Sequence, residues 1–92
     1  MHAAFRWYPD PAFADVLAEH ADAVRAEIGK VAGVRAYYLV RTEQGTVAVT
    51  VCDDEAGAAE STAVASAWVK ENLPDLQVAA PNVSSGEVVI AV

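Results

Sequence analysis

The chain has one cysteine, Cys52, two histidines, and six lysines and arginines against thirteen aspartates and glutamates. A lone cysteine excludes a disulfide framework and a thiolate metal cluster. A formal charge of −7 leaves little to neutralise a run of phosphates. That argues against nucleic acid as a partner and against an anionic membrane surface. No apolar run approaches the roughly 18 residues of a membrane span, and residues 2–9, "HAAFRWYP", lack the apolar core of a signal peptide. A cytoplasmic protein is the expectation. Nothing resembles a serine nucleophile elbow or a phosphate-cradling glycine loop. No histidine, cysteine and carboxylate group has metal-ligand spacing, so no metal site is expected.

What is present is apolar. Hydrophobic residues make up 54% of the chain and the mean hydropathy is +0.23. Ninety-two residues form one small domain, 1–92, and a chain of this size buries only about 60–65% of its unfolded surface. The apolar content exceeds what such a monomer needs, and pairing with a second copy is the simplest way to bury the excess.

Periodicity gives the element order. Residues 2–8 read as a strand stopped by Pro9 and Pro11, with Phe5 and Trp7 on one face and His2, Arg6 and Tyr8 on the other. Asp10 is the expected N-cap of a helix with Pro11 in its first position. That helix runs to about Ile28, with Phe13, Leu17, Ala21, Val24 and Ile28 as its apolar stripe. Gly29 or Gly33 stops it.

A hairpin follows, residues 34–41 and 46–52, whose four-residue loop ends in Gly45, an expected left-handed position. Tyr37 and Leu39 point one way, and Val34, Tyr38 and Val40 the other. Both sheet faces are therefore apolar and both need cover, one from helices and one from a partner subunit. Asp53 or Asp54 caps a second helix over about 54–73. On it Ser61, Ala65, Trp68 and Asn72 fall within a sector of about 60° that should face the sheet. Pro74 ends this helix. Residues 74–86 are a connector with a short edge strand expected at 76–79, and 87–92, "EVVIAV", close the chain as a strand. The order β-α-β-β-α-β predicts an α+β, ferredoxin-like fold: a four-stranded antiparallel sheet with two helices on one face.

With Gly33-Val34-Arg35-Ala36-Tyr37-Tyr38-Leu39 after the first helix, Val49-Thr50-Val51-Cys52-Asp53-Asp54-Glu55-Ala56 closing the hairpin, Ser61 and Trp68 on the second helix, and Gly86-Glu87-Val88-Val89-Ile90 at the end, the chain resembles a small member of the dimeric α/β-barrel superfamily. Within it the likeness is to the antibiotic biosynthesis monooxygenase (ABM) group. The resemblance implies a homodimer joined through its sheet faces, and a pocket in each subunit between sheet and helices. It implies an oxygenase that needs no cofactor and acts on a small aromatic or polyketide-like molecule acidic enough to become a carbanion. The haem-degrading relatives carry an asparagine on the first strand, a tryptophan early in the second helix and a histidine further along it. Here the strand has Arg6, Trp7 and Tyr8, the early helix position is Ser61, and the helix has no histidine. The quinol- and anthrone-oxidising relatives carry an asparagine and a tryptophan on the second helix. Asn72 and Trp68 are the same residue types in reversed order.

Each candidate has a simpler account beside the functional one. Trp68 lines a pocket or packs against Leu39 or Phe5. Asn72 contacts a ligand or caps its helix. His20, on the flank of the first helix, is the candidate general base or a half-exposed surface residue. Tyr37 and Arg6 are candidate substrate contacts with Ser61. Arg6 and Tyr8 share a face that could hold a phenolate or carboxylate, although a surface ion pair accounts for Arg6 more simply. Two functions stand open: a cofactor-independent monooxygenase, or a non-catalytic dimeric binding or structural module. A void of roughly 300 Å³ or more between helices and sheet separates them.

Overall fold

The computed structural model describes residues 1–76 and 79–92. Its elements are β1 (His2–Tyr8), α1 (Ala12–Glu19), α2 (Ala21–Gly29), β2 (Val34–Arg41), β3 (Thr46–Cys52), α3 (Glu55–Asn72) and β4 (Asn82–Glu87). The strands form one antiparallel sheet in the order β2-β3-β1-β4. The helices cover one face: α3 lies over β1, β3 and β4, while α1 and α2 lie over β2 and β3. This is the α+β, ferredoxin-like arrangement.

Strand alternation decides which side chains meet the helices. Along β1, Ala4, Arg6 and Tyr8 are buried, while Phe5 and Trp7 keep 41% and 39% of their surface exposed on the far side. Register carries the division across the sheet. Tyr8 is opposite Thr46, Arg6 opposite Ala48, and Ala4 opposite Thr50. Tyr37 in turn is opposite Thr50, and Leu39 opposite Ala48. Val34 departs from expectation. An irregularity between Val34 and Ala36 pairs Val34 with Cys52 and so brings it to the helix side. Tyr8, Phe13, Leu17 and Trp68 form the buried cluster, with Val24, Leu39, Val69 and Leu73 packed around it.

Three local expectations are corrected. The first helix is two helices. At His20 (φ −111°, ψ 27°) the chain leaves helical geometry, and α2 restarts when Val24 N–H donates to the His20 carbonyl. The apolar period runs unbroken through this corner, so periodicity could not reveal it. The hairpin loop needs Gly45 for space and not for a left-handed backbone. Among the described residues only Gly33 has positive φ, at 80°, whereas a Cβ on Gly45 would stand 2.1 Å from the Tyr8 carbonyl oxygen. The closing strand is 82–87, not 87–92. β1 begins at His2, which pairs with Glu87, and the ladder ends when Val88 donates to the Met1 carbonyl. Val89 and Ile90 then have no strand opposite them and are 85% and 83% exposed. The edge strand expected at 76–79 falls on residues that include 77 and 78, outside the described residues.

Caps and turns fall where sequence chemistry puts them. Asp10 accepts from the Ala12 N–H at 2.9 Å, and Asp54 from the Gly57 N–H at 2.8 Å. Buried Thr46 donates to the Asp10 carbonyl and accepts from Ala14 N–H, fixing the start of α1 to β3. No helix among the described residues is long and apolar enough to cross a membrane.

Candidate functional site

Alternation in a seven-residue strand sends an arginine inward, between two residues that would suit any core. Arg6 is 1% exposed. Its Nη1 donates to Thr62 Oγ1 on α3 and its Nη2 to Thr50 Oγ1 on β3, each at 3.3 Å, while Nε has no partner. Among the described residues no carboxylate pairs with it. Space for the guanidinium comes from small neighbours, Ala48 across the ladder and Ala65 on α3. The surface ion pair that accounts for most arginines is not what holds this one.

The remaining cations divide cleanly. Arg25 pairs with Asp22, Lys30 with Glu27, Arg35 with Asp53 and Arg41 with Asp15. That leaves Arg6 and Lys70 as the two cations without an acid among the described residues.

Three spaces adjoin the helix side of the sheet. The innermost, bounded by Arg6, Tyr8, Tyr37, Ala65 and Trp68, measures about 20 Å³, room for about one water. The core between helices and sheet is thus filled. Beside it, between α3 and the β1–β4 edge, a cleft of about 600 Å³ opens under the chain that leaves α3. Arg6, Tyr8 and Thr62 form its floor. Val69, Leu73, Leu76 and Val83 wall it, and Ser66 and Lys70 stand on its α3 side. A third groove of about 910 Å³ follows β2 along α1 and α2 and is crossed by the Asp15–Arg41 pair.

Burial raises the pKa of both Tyr8 and Tyr37, and the Arg6 charge works against that rise in each case. Both phenols are therefore protonated at neutral pH and can donate. Tyr8 is further fixed by Phe13, with ring centroids 4.5 Å apart. The Cys52 thiol is fully buried. Burial raises its pKa most, followed by Asp54 and Asp53, which removes it as a nucleophile.

The structure brings Arg6, Tyr37 and Trp68 together around the inner cavity. Trp68 packs on the cluster that includes Leu39, whereas Phe5 lies on the other face of the sheet. Three candidates lie elsewhere. Ser61 is wholly buried and donates to the Ala58 carbonyl at 2.7 Å. Asn72 donates to the Trp68 carbonyl at 2.9 Å, one turn back near the end of α3. His20 stands edge-on to Trp68, centroids 5.6 Å apart, at the α1–α2 corner, and lines none of the three spaces. These residues do not fit a haem, since no histidine among the described residues faces the cleft. Sequence reasoning missed Thr50, Thr62 and Lys70. The signal for the first was present: threonine at 46 and 50 interrupts an otherwise aliphatic β3 on its inward positions.

No protein-family model matches the sequence, and neither does any curated protein. Solved structures do match. A monooxygenase from the gene ActVA-Orf6 of Streptomyces coelicolor, in complex with nanaomycin D, superposes with a TM-score of 0.72 at 21% identity, covering 99% of this chain and 89% of that one. The chain shares the ferredoxin-like α+β fold of this structure. A candidate antibiotic biosynthesis monooxygenase from Chloroflexus aurantiacus J-10-fl gives a TM-score of 0.64 at 14% identity, covering 98% and 94%. MupZ from Pseudomonas fluorescens gives 0.69 at 10% identity; 91% of this chain aligns, and it spans 65% of the length of MupZ. ABM-like neighbours thus include monooxygenases, and one further match is of unknown function.

Proposed function

We propose that the chain is a homodimeric, cofactor-independent monooxygenase of the ABM type that takes a small aromatic or polyketide-like substrate into the cleft between α3 and the β1–β4 edge. The observation that carries this reading is the cleft: about 600 Å³, within the size range of small-molecule sites, with apolar walls and a polar floor of guanidinium, phenol and hydroxyl. In such chemistry an acidic methylene of the substrate loses a proton, and the carbanion reduces molecular oxygen. The resulting hydroperoxide expels water to leave a ketone, so one CH2 and one O2 become one C=O and one H2O. Arg6 would hold the enolate oxygen that forms as the proton leaves, in a site shielded from water. Tyr8 donates beside it. Oxygen uptake with dithranol, an anthrone, tests the reading. Saturable uptake above the buffer rate supports it, and uptake indistinguishable from buffer at saturating ligand overturns it.

A second reading, a non-catalytic binding module, is favoured by two observations. The space between helices and sheet is about 20 Å³, far below the roughly 300 Å³ of a substrate pocket. The cleft beside it has no side-chain base: among the described residues no histidine, aspartate or glutamate lines it. His20 lies outside the cleft, so a bound water would have to serve as the general base. Binding of an aromatic ligand without oxygen uptake identifies the module.

A further inference from the structure

We propose that the cleft selects an anionic ligand, an aromatic carboxylate, and that Arg6 with Lys70 reads the charge. The inference rests on the reading of the cleft as a ligand site and names the class of molecule it takes. An arginine stays ionised at any working pH, and a buried charge without a counter-charge is costly. Arg6 is such a charge: 1% exposed, with one nitrogen unpartnered and its other bonds to neutral hydroxyls at 3.3 Å.

The electrostatics of the whole chain sharpen the point. The protein carries a net charge of −7, yet among the described residues no acid lines this cleft. Both cations left unmatched by acids line it instead. A fold that pairs its other four cations has left its unpaired positive charge along the lining of this cleft. A carboxylate at the cleft floor would replace the long bond to Thr62, the hydroxyl that lines the cleft, with a shorter, charge-assisted one. The walls of Val69, Leu73 and Val83 call for an apolar body behind the charge.

The test is calorimetric titration of the full chain with 1-naphthoate and with its neutral counterpart, 1-naphthamide. The acid should bind at least about tenfold more tightly, the size of a charge-assisted contact. Arg6→Met should erase that preference, weakening the acid far more than the amide so that the two bind alike. Lys70→Met, at an exposed site where folding is not in question, should weaken the acid by about two- to fivefold and not the amide. Equal binding of acid and amide to the unaltered protein overturns the anion assignment while leaving the cleft a ligand site. Failure of both to bind overturns the cleft reading and this one with it. 1-Naphthol at a pH above its ionisation, binding as well as naphthoate, would overturn the choice of carboxylate over phenolate.

Discussion

Arg6 donates to Thr62 across the gap between β1 and α3 at 3.3 Å, and so joins sheet to helix through a charge that meets no opposite charge among the described residues. Such a contact contributes little to stability. The guanidinium has lost its water and gained hydroxyls, and a buried charge replaced by an apolar side chain of similar length is often neutral or stabilising by about 1–4 kcal/mol. Leaving the Thr50 hydroxyl without its Arg6 partner costs about 1 kcal/mol in return. Arg6→Met is therefore expected to raise stability by about 1–2 kcal/mol, about 4–16 °C in melting temperature for a domain of this size. Circular dichroism melts of the two proteins decide it. A fall in melting temperature would make Arg6 a structural residue.

The second prediction concerns Gly45. A methyl group there would stand 2.1 Å from the Tyr8 carbonyl oxygen, a backbone atom held in place by the β1–β3 ladder. Neither side can yield without disturbing the hairpin, so Gly45→Ala is expected to cost about 2–3 kcal/mol. Gly29→Ala, with nothing within 4 Å of the added carbon, should be within about 0.5 kcal/mol of the parent or slightly more stable. Urea denaturation of both variants separates close approach from conformational freedom as the reason for glycine.

Alkaline pH should weaken the fold. Tyr8 and Tyr37 are raised from the ordinary phenol value, chiefly by burial, and Cys52 is raised from the ordinary thiol value for the same first reason. The folded state therefore holds these protons more tightly than the unfolded chain. Their contribution is present in full below about pH 8.5, where unfolded thiols begin to ionise. It declines past about pH 10 as unfolded phenols follow, and is gone once pH exceeds the folded values. Stability measured by urea at pH 8 and pH 11 should fall, and the fall should be smaller in Tyr37→Phe. An unchanged slope in that variant would locate the effect elsewhere.

The parts of the fold set by short-range chemistry were legible: β3 at 46–52, the aspartate caps, and the division of Phe5 and Trp7 from Arg6 and Tyr8. Those depend on alternation and on hydrogen bonds within a few residues. The corner at His20 was hidden because one residue leaving the helix does not disturb an apolar stripe. The closing strand was misplaced because the most strand-like run, "VVIAV", lies beyond the end of β1, and partner length, not propensity, ends a ladder. The site was half legible. Of the residues named from their faces, Arg6 lines the cleft, while Tyr37 and Trp68 line the small inner cavity instead. That Arg6 lacks an acid could not be read this way, because it depends on where thirteen carboxylates end up in space.

The last prediction is the assembly. On the face away from the helices, Phe5, Trp7, Tyr38 and Val40 are 41%, 39%, 61% and 45% exposed. Register places them together: Phe5 and Tyr38 both oppose Val49, and Trp7 and Val40 both oppose Val47. A continuous aromatic and aliphatic patch of this kind marks an interface, and its position on a single sheet face suits a two-fold pairing of identical copies. Light scattering after size exclusion should therefore give twice the 9.7 kDa chain mass. Trp7→Glu should shift the equilibrium towards the monomer, because each copy would bury an introduced carboxylate in the interface without counter-charge. The same substitution leaves the cleft beside α3 untouched, since Trp7 and Arg6 lie on opposite faces. A monomeric parent protein would show that this patch is not a homodimer interface.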